Sequence, residues 1–288
     1  MLFFILGNPR SGTSMFRLML NAHSQITVPP ESGFALWFAK QYQNSNNYNE
    51  NTYKDYVEEL FGAKKFETWN LNKEKVLKLL MERKPLFYSE LVKLVYKAYA
   101  NKQNKKSTIF GDKNNYYIEQ VEDLVKVFPE TKLVFIIRDG RDVAVSYKQL
   151  NEGNISSLYK PKLNKCIKEI AKEWTKNADT LRKFVKEQKV PTLFVRYEDL
   201  LSSPQKTISR VLDFLGVEYE PQILEFYKHN DEPKDFLQWK GKTASKLDEK
   251  NHGKYKKFLT DAEIKEFEII AKGTLEFFDY NLYSSQLD

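Results

Sequence analysis

Five apolar residues, LFFIL at positions 2–6, end at Gly7 and give way to small and polar positions, Asn8-Pro-Arg-Ser-Gly-Thr-Ser14. A continuous apolar run of this length, closed by glycine, predicts a strand buried on both faces. The pattern returns at Lys132–Arg138 (KLVFIIR), after a helical Val121–Phe128 and the turn Pro129-Glu130, and again at Pro191–Tyr197 (PTLFVRY). Between these runs the apolar period is helical. Leu71–Lys84 and Leu86–Ala100 are separated by Pro85, and Ile167, Ile170, Ala171, Trp174, Ala178, Leu181 and Val185 form one long face. A helix from about Pro204 to Leu215 is predicted to stop at Gly216 as its C-cap. The last, from about Asp261 to Phe277, has Thr260 as N-cap and Glu263 placed for a capping box. The polar tract 43–51 (QNSNNYNEN) reads as a loop. Strands alternating with helices predict an α/β chain, its central parallel sheet flanked by helices.

Composition narrows this modestly. The 288 residues fit one large α/β domain or two small ones, and with no repeat or low-complexity tract we read residues 1–288 as a single domain. A net charge of +7 points to an anionic partner. The basic residues are interspersed with acids rather than gathered in an aromatic-studded stripe, which disfavours nucleic acid. One cysteine, Cys166, excludes an internal disulfide framework and suits a reducing compartment. No apolar run reaches the length of a membrane span, and the start of the chain lacks the basic flank of a signal peptide; the expectation is a soluble cytoplasmic protein.

Two places carry candidate chemistry. The turn after the first strand would expose unpaired N–H groups at a helix N-terminus, where anions bind. Gly12 permits close approach, Ser11, Thr13 and Ser14 supply hydroxyls, and Arg10 supplies a planar fork for an oxygen pair. The run matches G-x-x-x-x-G-K-[ST] except that Thr13 replaces the lysine that reaches the β/γ-phosphates, which disfavours nucleotide hydrolysis. The second place is Arg138, at the carboxyl end of its strand, with Ser146 eight residues on and about two turns into the next helix. Read alone, this second motif fits a surface Arg–Asp network as well as a second phosphate site.

Taken together, "GNPRSGTSMFRLMLNAHSQI" and "KLVFIIRDGRDVAVSY" resemble the sulfotransferase family that uses 3′-phosphoadenosine-5′-phosphosulfate (PAPS). The resemblance extends through "GDKNNYYIEQVEDLVKVFPE" and "VRYEDLLSSPQKTISRVLDFLGVEYE". Its Pro-Arg-Ser-Gly-Thr form is similar to the bacterial and Golgi branches, including tyrosylprotein and carbohydrate sulfotransferases. The resemblance implies a three-layer P-loop-containing fold. It further implies that Arg10, Ser11, Gly12, Thr13 and Ser14 bind the 5′-phosphosulfate, that Arg138 and Ser146 bind the 3′-phosphate, and that Tyr197 lies against the adenine. It implies Glu31 as the base and Lys113 as the cation near the bridging oxygen, with Arg10 also serving catalysis. Lys254 is the best match in the family's closing loop, with Lys256 and Lys257 as substitutes. The desulfated product would be adenosine 3′,5′-bisphosphate.

Sulfuryl transfer to a hydroxyl or amine needs in-line positioning, charge stabilisation and a base, and no metal. Two departures from the family pattern stand out: Gly33 where the tyrosylprotein branch has arginine, and Asn114-Asn115 where many bacterial relatives have Thr-Pro. The first argues against tyrosyl-peptide acceptors. His23 reads as a structural residue at a helix end, and His229 and His252 as solvated. The alternatives are a catalytically inactive nucleotide- or anion-binding relative and, with less support, a P-loop small-molecule kinase. Segments 32–100 and 148–165 are rich in Tyr, Phe, Trp and Lys, which suits glycan, lipid, phenol or peptide acceptors equally, and quaternary state is not encoded legibly.

Overall fold

A computed structural model describes residues 1–43, 48–187 and 189–283. Its centre is a five-stranded sheet in the order β2-β3-β1-β4-β5, every neighbouring pair parallel. The strands are β1 (Leu2–Gly7), β2 (Ile26–Thr27), β3 (Ile109–Lys113), β4 (Lys132–Ile137) and β5 (Thr192–Arg196). The sheet's first, central and last predicted strands therefore stand as β1, β4 and β5, while β2 and β3 were not visible as apolar runs. β2 has two residues, and β3 is apolar only at Ile109-Phe110 before Gly111, Asp112 and Lys113. Both become strands by pairing with what lies beside them, Ile26 with Ile109 and Phe3 with Gly111.

Alternation along the central strands divides the core between the two faces. Phe3, Ile5, Val134 and Ile136 pack with Phe16, Leu20 and Leu212 on one side. Phe4, Leu6, Leu133 and Phe135 pack with Phe128, Tyr117 and Leu181 on the other. Helices thus cover both faces of the sheet. The long helix Ile167–Glu187 buries Ile170, Trp174, Ala178 and Leu181 as its period requires, but its last buried position is Phe184 rather than Val185.

The C-terminal helix Asp261–Phe277 has the full capping box from Thr260 and Glu263, and Gly216 ends Pro204–Leu215 at φ 86°. The polar tract is only partly a loop. Its residues 44–47 lie outside the described residues, but Asn49 caps a helix, Glu50–Gly62, by accepting from Asn51 and Thr52 N–H groups. Among the described residues no helix is long and apolar enough to cross a membrane.

The chain crosses from β3, on one side of β1, to β4 on the other. At such a reversal the loops leaving the two adjacent strands diverge and open a crevice at their carboxyl ends. Gly7 is in register with Ile136, so the turn after β1 and the residue after β4 share that crevice.

Candidate active site

A cavity of about 760 Å³ occupies the crevice. One wall is the turn after β1. Ser11 N–H donates to the Asn8 carbonyl at 3.2 Å, and the chain passes through left-handed backbone at Arg10 (φ 71°) and Gly12 (φ 90°) before the helix Thr13–Asn21 begins. No side chain caps that helix, so its first N–H groups are open to an anion. A Cβ at Gly12 would lie 2.5 Å from the Tyr197 ring, and the backbone there is unfavourable for any side chain. Arg10 adopts the same left-handed backbone without being glycine, and its side chain is held by two contacts. Its Nε donates to Ser146 Oγ at 3.0 Å and its Nη1 to the Trp239 carbonyl at 2.9 Å. Burial and the neighbouring Arg138 together bring its pKa down to about 10. A left-handed, crowded arginine marks a place where the fold holds a cation against its own preference.

The opposite wall begins where β4 ends. Arg138 lies with its guanidinium 4.7 Å from the Tyr197 ring centroid and donates to the carbonyls of Arg10 and Asn251, each at 3.2 Å. Its own carbonyl accepts from Trp174 Nε1 at 3.0 Å, which ties the loop to the core beneath. Asp139 caps the helix Gly140–Glu152 and pairs with buried Arg141, and Ser146 projects from that helix into the cavity. Lys242 and Lys254 approach from the late basic stretch, and burial and then Lys254 lower the Lys242 pKa to about 8. Such crowding of cations is unfavourable unless an anion enters. Two buried polar atoms here, Ser11 Oγ and Arg138 Nε, have no hydrogen-bond partner among the described residues. An oxyanion ligand would suit both.

At the far end stands a carboxylate between two lysines. Lys113, the last residue of β3, donates to Glu31 Oε2 at 2.7 Å, and Lys65 donates to Oε1 at 2.5 Å. Burial opposes ionisation of Glu31, but Lys113, Lys65 and Lys240 outweigh it and hold the carboxyl well below its usual range. Thr13 Oγ1 donates to Asn115 Oδ1 at 3.1 Å, joining this end to the first turn. Behind Lys113, Asp112 accepts from the hydroxyls of Tyr96 and Tyr117 at 2.7 and 2.8 Å. Burial raises the Asp112 pKa from 3.8 to about 7 against those two hydrogen bonds. A carboxyl raised in the folded state favours folding in its protonated form, and this stability falls as pH rises from about 4 towards 7. Asp112→Asn is therefore expected to lose less stability to urea between pH 5 and pH 7 than the wild type does. Parallel pH trends for the two proteins would show Asp112 to be ionised in the fold.

Ten of the eleven residues singled out in the sequence line this one cavity: Arg10, Gly12, Thr13, Ser14, Glu31, Lys113, Arg138, Ser146, Tyr197 and Lys254. The eleventh, Ser11, lies fully buried beneath the turn. Arg10 links Ser146 and Arg138, donating to the first through Nε and accepting from the second through its carbonyl. His23 is buried at the helix end, where Nδ1 accepts from Gln25 N–H and Nε2 donates to the Glu218 carbonyl. Sequence reasoning placed segments 32–100 and 148–165 at the acceptor pocket without singling out Lys65 or Tyr159, missed Phe236 and Trp239, and gave Lys240 and Lys242 no place beyond a basic stretch. None belongs to a motif, and only the left-handed backbone at Lys65 (φ 68°), invisible in sequence, sets that residue apart.

The chain is 23% identical over 227 residues to protein-tyrosine sulfotransferase 1 of Danio rerio, covering 77% of this chain and 55% of that one. It thus spans about half the length of this curated relative. The structure is similar to the sulfotransferase domain of the curacin biosynthetic pathway, with a TM-score of 0.64 and 20% identity, over 97% of this chain and 98% of that one. It is similar also to the sulfotransferase domain of the Synechococcus PCC 7002 olefin synthase (TM-score 0.65, 19% identity, 98% and 96% covered). At these identities the two likenesses establish the fold. The sequence itself matches the Sulfotransferase family over residues 3–221. That match runs from within β1 past β5 and takes in both cavity-lining turns with Glu31 and Lys113, so the chain belongs to the sulfotransferase family.

Proposed function

We propose that this chain, acting as a single domain, transfers a sulfuryl group from PAPS to a hydroxyl or amine acceptor without a metal. The observation that carries the reading is one cavity with two cationic cradles, at Arg10 and at Arg138, and a carboxylate–lysine pair beyond the first. The turn Arg10–Ser14 would take the 5′-phosphosulfate on its N–H groups and hydroxyls. Arg138, Ser146 and Lys254 would take the 3′-phosphate, with Tyr197 bordering the adenine. Glu31 would accept the acceptor's proton as the acceptor oxygen or nitrogen bonds to sulfur and the bond from sulfur to the 5′-phosphate breaks. Lys113 would offset charge building on the departing phosphate oxygen. The single exposed cysteine, Cys166, fits a cytoplasmic setting.

The test is to supply PAPS with glycan, lipid, phenol and peptide acceptors and follow the mass gain of each. Formation of a sulfated product and adenosine 3′,5′-bisphosphate supports the reading; magnesium-dependent ATP turnover in its place would favour a kinase. Within the nucleotide site, Arg138→Ala is expected to weaken adenosine 3′,5′-bisphosphate binding by about 1.5–3 kcal/mol, the range for a lost charge-assisted contact. Calorimetry showing unchanged affinity would remove Arg138 from the site.

A further inference from the structure

The cavity has more positive charge than its proposed donor can neutralise. Ten basic side chains line it against two carboxylates, Glu31 and Asp142, while PAPS brings about four negative charges. Part of the surplus sits on the acceptor side. The Lys64 and Lys65 ammonium groups lie 5.9 and 6.0 Å from the Tyr159 ring centroid, and Lys65 lies 5.7 Å from that of Phe236. Neither nearby acid is ion-paired to Lys64 or Lys65 among the described residues: Glu67 accepts from the Tyr159 hydroxyl at 2.6 Å, and Asp235 accepts from Ser157. Lys65 itself is held in a left-handed turn, its carbonyl accepting from Thr68 Oγ1 at 2.6 Å, which aims its side chain at Glu31. The result is a competition at the base. Each Glu31 oxygen already accepts from an ammonium group, which competes with an incoming proton.

Building on the proposed transfer reaction, we infer that the acceptor is itself an anion, received by Lys64 and Lys65 against the Tyr159 ring, and that Lys65 leaves Glu31 Oε1 to pair with it. The base is then uncovered only when a charged acceptor is seated. Lys65 is a specificity and positioning residue in this scheme, and the aromatic wall of Tyr159 and Phe236 fixes the body of the acceptor beside it.

The experiment uses matched acceptors differing in charge: 4-hydroxyphenylacetate and its amide, galacturonate and galactose, 3-hydroxydecanoate and its amide. The wild type is expected to sulfate the anionic member with the higher kcat/KM. Lys65→Met is expected to lower kcat/KM for that member by roughly 10–100-fold, the loss of one charge-assisted contact, and to raise kcat on the neutral member because Oε1 is uncovered. Lys65→Arg should keep the wild-type preference. A merely structural Lys65 would lower both members together, and that result, or a wild type indifferent to charge, overturns the inference. Calorimetry with adenosine 3′,5′-bisphosphate separates the two levels. No binding defeats the donor assignment itself, whereas normal binding with charge-blind transfer defeats only the anionic acceptor.

Discussion

Glu31→Gln is expected to lower turnover by roughly 10²–10⁴-fold, the usual contribution of a positioned base, while adenosine 3′,5′-bisphosphate still binds. The amide keeps the size of the carboxylate and one acceptor oxygen, but it neither takes a proton nor balances two lysines. Lys113 has only 1% of its side chain exposed, so the variant leaves a buried cation short of its partner and some folding stability goes with it. Nucleotide affinity is therefore the control that separates a lost base from a lost fold. Glu31→Asp supplies a second: it keeps the charge, shortens the reach by one methylene, and should fall between the wild type and Glu31→Gln. A fully active Glu31→Gln would place the base elsewhere.

The pH profile carries the same assignment. Lys113, Lys65 and Lys240 hold Glu31 below the 4.5 of an ordinary glutamate despite its burial, so this carboxyl is ionised well into the acid range. The kcat/KM profile is accordingly expected to show no acid limb from this group between about pH 5 and 7. Lys65→Met removes one of those cations, and the limb should move up towards the ordinary value.

The parts of this site legible in the sequence are those encoded by local rules. An apolar run closed by Gly7 gives β1, the eight-residue step from Arg138 sets Ser146 two turns into a helix, and Thr260 with Glu263 writes its own cap. What could not be read depends on neighbours remote in the chain. The three polar or small residues of β3 become a strand because β1 lies alongside, and that pairing delivers Lys113 to Glu31, 82 residues earlier. Lys65 faces the same carboxylate only because a left-handed turn aims it there. Trp239 enters the site through its carbonyl, an atom every residue possesses, so its identity carried no signal.

The segment bearing Trp239, Lys240 and Lys242 is anchored by a buried charge cluster, and Arg17→Met is expected to cost about 3–5 kcal/mol of stability, the usual price of breaking one such pair from a single side. Arg17 lies in the first helix with no exposed surface. Its Nη2 pairs with Asp231 at 2.7 Å and Glu232 at 2.9 Å, its Nε donates to Glu232 across 215 positions of chain, and its Nη1 donates to the Val28 carbonyl. Methionine fills much of the arginine stem but leaves Glu232 with Lys240 alone, at 2.8 Å. Burial opposes the Glu232 charge, yet Lys240 and Arg17 lower its pKa from 4.5 to about 2. A carboxyl depressed in this way stabilises the fold fully above pH 4.5 and progressively less as pH falls towards 2. Urea denaturation at pH 7 should therefore show the full loss in Arg17→Met, narrowing at acid pH. Arg10 rests on the Trp239 carbonyl, so the single variant should also bind adenosine 3′,5′-bisphosphate more weakly at temperatures where the sheet is intact. A loss below about 1 kcal/mol, typical of an exposed ion pair, would show that this cluster does not hold the segment in place.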